Sequence, residues 1–437
     1  MEDFFDVKTV EEARRILISA WLQAGPKPLG TEQVDLLDSA GRILALDIAS
    51  PENVPPYPRS TVDGYAVAAK DTFGASEALP AMLDIIEDIP MGVVPRKRVQ
   101  SGQSSRIPTG GVLPAGADAC VMVEHTELLD DRTVLVRKPV SPGENAVQPG
   151  EDIHEGETLL RAGRLLSPYD IGALAALGAN AVRVLQRPQV ALISTGDEIV
   201  PPPVVPAPGQ VRDVNTYSLA SALKSLGAEP LALGIAPDTY SGLRSIVEKG
   251  LGLAHAVVVS GGSSVGERDI TVRVFSDLGP PGVLVHGVAV KPGKPVILGI
   301  CRGKPVFGLP GHPVSALVAF DLFVRYTLDI MLARAANQWT GEVDQEVLAA
   351  LSAARETQVT ARLSRNVASA PGRQDHVRVS LVSKDGELVA EPVLGKSGLI
   401  STMVRSDGEI VIPLECEGLV EGSLVQVRVA RPTRAQR

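Results

Sequence analysis

Aromatic residues are scarce in this chain. Phe, Trp and Tyr make up 3% of 437 residues, which leaves little material for base-stacking platforms. Cysteine is scarcer still: Cys120, Cys301 and Cys416 are far apart and lack CxxC spacing. Neither a disulfide framework nor a cysteine zinc site is expected, and a reducing compartment fits. Positive charge is in deficit, with 42 Lys and Arg against 51 Asp and Glu and a formal net charge of -9. That balance argues against nucleic acid as a partner while leaving room for a local basic site. The histidines form no HxxxH or HExxH pattern, so a histidine metal site is not indicated. Long hydrophobic runs are missing too, since Asp321 interrupts the best candidate, Val314 to Val324; no membrane partner is expected. The N-terminus, MEDFFDVKTVEEARRIL, lacks a signal-peptide pattern, so the expected location is cytoplasmic. No GxSxG, Walker A or GxGxxG follows a strand, which disfavours hydrolase, kinase and dinucleotide readings.

What is present is Gly and Pro, 42 and 34 residues spread along the chain, pointing to many turns and short strands. The length exceeds one core, so two to four domains are expected. Thr9 to Leu22 carries helical apolar spacing, with Thr9 and Glu12 placed as a capping box. A second helix-like stretch covers Glu32 to Ser39. The expected division is a mixed helical and linker domain (1–50 and 151–187), an inserted β-rich domain (51–150), an α/β domain (188–336) and a C-terminal β-barrel domain (337–437). The fold class is thus multidomain α/β plus β, with a central three-layer α/β/α, mostly parallel sheet. That follows from alternation of strand candidates (Val190 to Ser194, Leu231 to Ile235, Ala256 to Ser260, Pro305 to Leu309) with helical segments (Thr216 to Leu226, Tyr240 to Lys249, Ile270 to Leu278, Val314 to Ala333). HVRVSLVS and SLVQVRVA are alternating short strands that suggest a small β-barrel or sandwich at the C-terminal end.

Ligands of such a sheet bind outside the carboxyl ends of its strands. One end is Ser194-Thr195-Gly196 followed by Glu198; a second carries Asp238. A third runs Ser260-Gly261-Gly262-Ser263-Ser264, then Gly266 and Asp269. A Gly/Ser loop opening into a helix suits a phosphate, and reads equally as a tight βα turn. Glu198, Asp238 and Asp269 beside it suit a bridging Mg²⁺, although helix capping is the ordinary use of any one of them. Lys291 and Lys294, in KPGKP, form an oxyanion grip or a solvated basic turn. Pro310-Gly311-His312-Pro313 opens a helix, where N–H groups favour anions. Asp213 and Asn215 read more simply as a turn and N-cap, Asp63-Gly64 as a plain turn, and Thr109, in RIPTGG, as an anion-capable nest or a turn.

Together, PPYPRSTVDGYAV, RIPTGGVLPAGADACVMVEHTE, PGEDI, LISTGDEIV, SGGSSVGERD, KPGKP, GLPGHPVSALV, GRQDHVRVSL and KSGLISTMVRSDG resemble the molybdopterin molybdenumtransferase family, of MoeA type and including the C-terminal domain of gephyrin. They occur in the family's order over nearly the whole chain. The resemblance implies insertion of molybdate into adenylylated molybdopterin with release of AMP, by an elongated homodimer. It implies Asp63, Thr109, Glu198, Asp238 and Asp269 as the active-site polar set, and Lys291 and Lys294 as holders of molybdate or phosphate. Pro310 and Pro313 shape the anion pocket, and Arg373 and Ser397 line the cleft. The implied protein partners are the adenylyltransferase and the enzymes that accept the finished cofactor. Alternatives are tungstate insertion by the same mechanism, molybdopterin adenylyl transfer, and a non-catalytic scaffold.

Three departures stand out. His312 replaces the family's usual Asn, which introduces a titratable group. Gly143-Glu144-Asn145-Ala146-Val147 lacks the arginine common in that segment. Ser263 replaces a more frequent valine in the Gly/Ser loop.

Overall fold

The computed structural model describes residues 7–261, 265–337, 343–355 and 357–430. Its N-terminal helix, Val10–Gln23, starts at the expected capping box: Glu12 N–H donates to Thr9 Oγ1 and Thr9 N–H donates to Glu12 Oε2. Its apolar stripe of Val10, Ala13, Leu17 and Trp21 packs into the large core that also holds Val285, Leu298 and Phe307 of the central sheet. The helix expected over Glu32 to Ser39 is instead the strand Thr31–Asp35 and one 3-10 turn, Leu36–Ser39. Thr31–Asp35 pairs antiparallel with Ala181–Leu185, placing Val34 opposite Val182. A partner far away in sequence decides this segment, which local propensity does not anticipate.

Residues after Pro58 build a six-stranded, mostly antiparallel sheet from Gly64–Val67, Ala81–Asp88, Gln103–Ile107, Ala119–Met122, Thr126–Asp130 and Thr133–Val136. It encloses its own core around Tyr65, Val67, Val121 and Val134.

The central sheet has the order Glu229–Ala236, Gln189–Thr195, Ala256–Gly261, Lys304–Leu309, Ile297–Cys301, Gly282–His286. Its first four strands are parallel and the last two pairings antiparallel. Ala256 to Ser260 are buried, as their unbroken apolar run requires of a strand covered on both faces. The helices Asn215–Ser225, Tyr240–Leu253 and Val265–Asp277 follow the expected crossovers. The long helix expected from Val314 is divided into Pro313–Ala319, a π turn at Phe320–Arg325, and Tyr326–Ala336.

Thr357–Leu363, Gln374–Lys384, Glu387–Pro392, Gly408–Ile412 and Leu424–Val429 form the C-terminal unit. Pairing of Gln374–Lys384 with both Glu387–Pro392 and Gly408–Ile412 closes these five strands into a barrel, leaving no free edge in the ring. The short strand Val290–Lys291 adds to Gln374–Lys384 in parallel, joining the α/β unit to the barrel. No helix among the described residues is long and apolar enough to cross a membrane.

Candidate active site

The sequence-predicted residues fall into three groups. The first surrounds the carboxyl ends of the central strands. Ser194 Oγ donates to Asp213 Oδ1 at 3.0 Å and lies 2.9 Å from Thr216 Oγ1, while Thr216 N–H donates to Asp213 Oδ1 at 3.1 Å. Asp213 therefore fastens the start of the Asn215–Ser225 helix to the neighbouring strand. Asn215 Nδ2 donates to Ser260 Oγ at 2.6 Å and to the Gly311 carbonyl at 2.8 Å. That amide spans two strand ends, and its buried Oδ1 has no hydrogen-bond donor.

Asp238 locks two loops together. Its Oδ1 accepts from Thr195 Oγ1 at 2.7 Å, its Oδ2 accepts from Asp197 N–H at 3.1 Å, and its own N–H donates to Asp197 Oδ1 at 3.2 Å. Glu198 folds its carboxylate back over Gly196, whose φ is +147°; a Cβ there would stand 2.6 Å from Glu198 Oε2. Gly261, at φ +129°, approaches the Thr195 carbonyl so closely that a Cβ would lie 1.9 Å from the oxygen. Only glycine fits both the dihedral and the space. Gly262, Ser263 and Ser264 lie outside the described residues. Gly266 and Asp269 fall in the Val265–Asp277 helix, with their side chains outside the described set. Among the described residues no three His, Cys, Asp or Glu side chains converge on a metal position.

The second group lines a cavity of about 590 Å³ between the α/β unit and the barrel, walled by Lys291, Lys294, Pro310, Gly311, His312, Arg373 and Ser397. Pro313 stands just behind, as the first residue of its helix, where a missing N–H costs nothing. Lys291 Nζ is 3.4 Å from Asp375 Oδ2 and Arg373 Nε is 2.9 Å from Asp375 Oδ1. The Asp375 side chain is 4% exposed, against 56% for Lys291 and 38% for Arg373, so the carboxylate is sealed and the cations face the cavity. His312 Nδ1 lies 2.9 Å from Ser397 Oγ, tying the helix start to the barrel side of the cavity. Asp375, Lys396 and Arg378 also line the cavity and were not singled out from sequence.

The third group is separate. Asp63 Oδ1 accepts from Thr109 N–H at 2.7 Å and from Thr109 Oγ1 at 3.0 Å, on the β-rich sheet. The backbone bond first, then the hydroxyl, hold the Asp63 carboxyl below its ordinary range. Neither residue lines the 590 Å³ cavity.

With Lys291, Lys294 and Arg373 facing one volume beside the helix start at His312, the arrangement suits an oxyanion-bearing substrate. Three family models match in order. They are the MoeA N-terminal region (domains I and II) over residues 8–178, the probable molybdopterin binding domain over 191–330, and the MoeA C-terminal region (domain IV) over 360–429. A Methanocaldococcus jannaschii protein named for molybdopterin biosynthesis is 34% identical over 437 residues, 98% of each chain. The molybdopterin molybdenumtransferase of Haemophilus influenzae is 32% identical, covering 96% of this chain and 98% of that protein. The crystal structure of the molybdopterin biosynthesis moea protein from Pyrococcus horikosii superposes with a TM-score of 0.79 at 37% identity, covering 97% of this chain and 99% of that one.

Proposed function

The chain belongs to the MoeA family, and from that we propose that it is the transferase that inserts molybdate into adenylylated molybdopterin and releases AMP. The observation that carries the reading is the Lys291–Asp375–Arg373 arrangement, two cations oriented by one buried carboxylate at the wall of a cavity next to the strand ends. A tetrahedral dianion held there stands beside the strand end at Pro310 and Gly311. Molybdenum–sulfur bonds form to the dithiolene as oxide leaves with the two thiol protons as water, and a second water cleaves the phosphoanhydride to give AMP and the pterin phosphate. Most of the work is positioning and charge neutralisation.

The donor set at the strand ends is oxygen only, which suits Mg²⁺: such an ion takes one or two carboxylates and substrate phosphates and keeps its remaining waters. Asp238 and Glu198, with Asp269, are the residues that would hold it. When bound it neutralises charge on the pyrophosphate. Asp238 also braces Thr195 and Asp197, so the loop is held whether or not the ion is present.

Asp63 and Thr109 enter this reading as residues of a partner subunit. They belong to a different sheet from the cavity, and a homodimer that seats one subunit's β-rich unit over the other's cavity lets Asp63 orient the attacking water. The test of the function is AMP release from adenylylated molybdopterin with Mg²⁺, titrated with molybdate and separately with tungstate. Saturable, oxyanion-dependent release is expected, and the ratio of the two half-saturation points identifies the physiological metal. Tight nucleotide binding without release would remove the transferase reading.

A further inference from the structure

A second cavity, about 450 Å³, lies behind the first, between the Asn215–Ser225 helix, the π turn Phe320–Arg325 and the barrel strands Gln374–Lys384, Gly408–Ile412 and Leu424–Val429. Its walls hold three guanidinium groups, Arg325, Arg378 and Arg428, against two carboxylates, Asp321 and Glu409, together with His376. The carboxylates are already engaged. Arg428 Nη2 lies 2.6 Å from Asp321 Oδ2 and 2.5 Å from Glu409 Oε1, and His376 Nδ1 lies 3.1 Å from the same Glu409 oxygen. Arg325 Nε stands 3.8 Å from Asp321 Oδ1.

Arg378 is the exception. It faces Glu409 in strand register, yet its Nε and Nη1 are buried and have no acceptor. A guanidinium offers five donors in a fixed fork, and leaving buried ones unsatisfied costs free energy unless something fills the place. Ser218, Ser221, Ser225 and Ser406 add hydroxyls to the same walls. The π turn is what brings Asp321 and Arg325 to this volume, and such turns recur at functional sites.

We propose that this cavity is a second oxyanion-binding site, anchored by the Arg378 guanidinium charge and the serine hydroxyls on its walls, and selective for a tetrahedral dianion: a free phosphate, sulfate or molybdate, or the terminal phosphate of a nucleotide. Val314, His376 and Arg378 line the Lys291–Lys294 cavity as well, so these three residues form the wall between the two volumes. The site rests on the cavity and the unpartnered fork and does not depend on the transferase reading.

The test is calorimetric titration of the full chain with sulfate, phosphate, molybdate and AMP in turn. The Lys291→Ala/Lys294→Ala variant, which disables the first cavity, is expected to retain one oxyanion per chain. Adding Arg378→Gln to it weakens that binding by about tenfold or more, the range for hydrogen bonds to a charged group. Should the Arg378 variant fold poorly, Ser221→Glu places a negative charge at the exposed rim of the cavity and is expected to weaken binding several-fold at unchanged melting temperature. Saturation by inorganic ions but not AMP identifies a free ion as occupant, and displacement of sulfate by AMP identifies a nucleotide phosphate. Loss of all oxyanion binding in the double lysine variant overturns the proposal. So does binding that is indifferent to both Arg378→Gln and Ser221→Glu.

Discussion

Lys291 and Asp375 face each other in strand register, one on a two-residue strand of the α/β unit and the other on the barrel, with 3.4 Å between Nζ and Oδ2. Because Asp375 also holds Arg373 at 2.9 Å, a single buried carboxylate sets the direction of both cations at the cavity wall. Replacing Asp375 by Asn keeps shape but removes the charge that orients them. The expected result is a fall in kcat of about tenfold or more with half-saturating molybdate no higher than in the wild type, since the freed cations still attract a dianion. Unchanged kcat with unchanged oxyanion binding would mean that Asp375 serves the fold alone.

The strand ends are braced by Asn215. Asn215→Ala removes the donors to Ser260 and to the Gly311 carbonyl, leaving buried polar groups unpaired at a cost of about 1–3 kcal/mol. A lowered midpoint in urea unfolding followed by fluorescence is the readout. An unshifted midpoint would show that the two bonds are replaced by water.

Glu409 makes part of the stability sensitive to acid. Burial works to raise its pKa, but the His376 hydrogen bond and charge and the Arg428 charge outweigh that and hold it at about 2, against an ordinary 4.5. A depressed carboxyl contributes stability above its unfolded pKa and loses it as pH falls through the folded one, so the contribution fades between about 4.5 and about 2. At about 1.4 kcal/mol per unit this amounts to roughly 3 kcal/mol. Glu409→Gln is therefore expected to be less stable than the wild type at neutral pH and to converge with it near pH 2. A stability gap independent of pH would contradict the assignment.

The three thiols are expected to differ. Burial pushes Cys120 up to about 11 and Cys301 up to about 12, while Cys416 is half-buried. Since the thiolate is the reactive form, native protein should consume one equivalent of a thiol reagent quickly, and three after denaturation. Rapid modification of two or more native thiols would show that a buried segment opens.

Much of this was readable in the chain, for physical reasons. The run Ala256 to Ser260 had to be a covered strand, and Thr9 with Glu12 had to start a helix, because each pattern is complete within a few residues. The strands ending at Thr195, Gly261 and Leu309 were legible as well, as buried apolar runs that stop at turn residues. What stayed hidden depends on distant partners. Asp375 looks like any polar residue in an alternating strand until Val290–Lys291 pairs beside it. Ile297–Cys301 and Gly282–His286 gain their antiparallel places only from each other and from Lys304–Leu309. Closing the barrel likewise requires Gln374–Lys384 to pair with Gly408–Ile412, a match between segments that no local signal announces.

The central claim is that the cavity holding Lys291 and Lys294 is where the oxyanion is kept for transfer. The most direct test is to load wild type and the Lys291→Ala/Lys294→Ala variant with adenylylated molybdopterin, add molybdate, and quantify molybdenum in the released pterin. The account predicts nucleotide binding within a few-fold of wild type and molybdenum insertion reduced by about 10²–10³ or more, the scale of losing preorganised charge stabilisation. Insertion at the wild-type rate in the variant would contradict it.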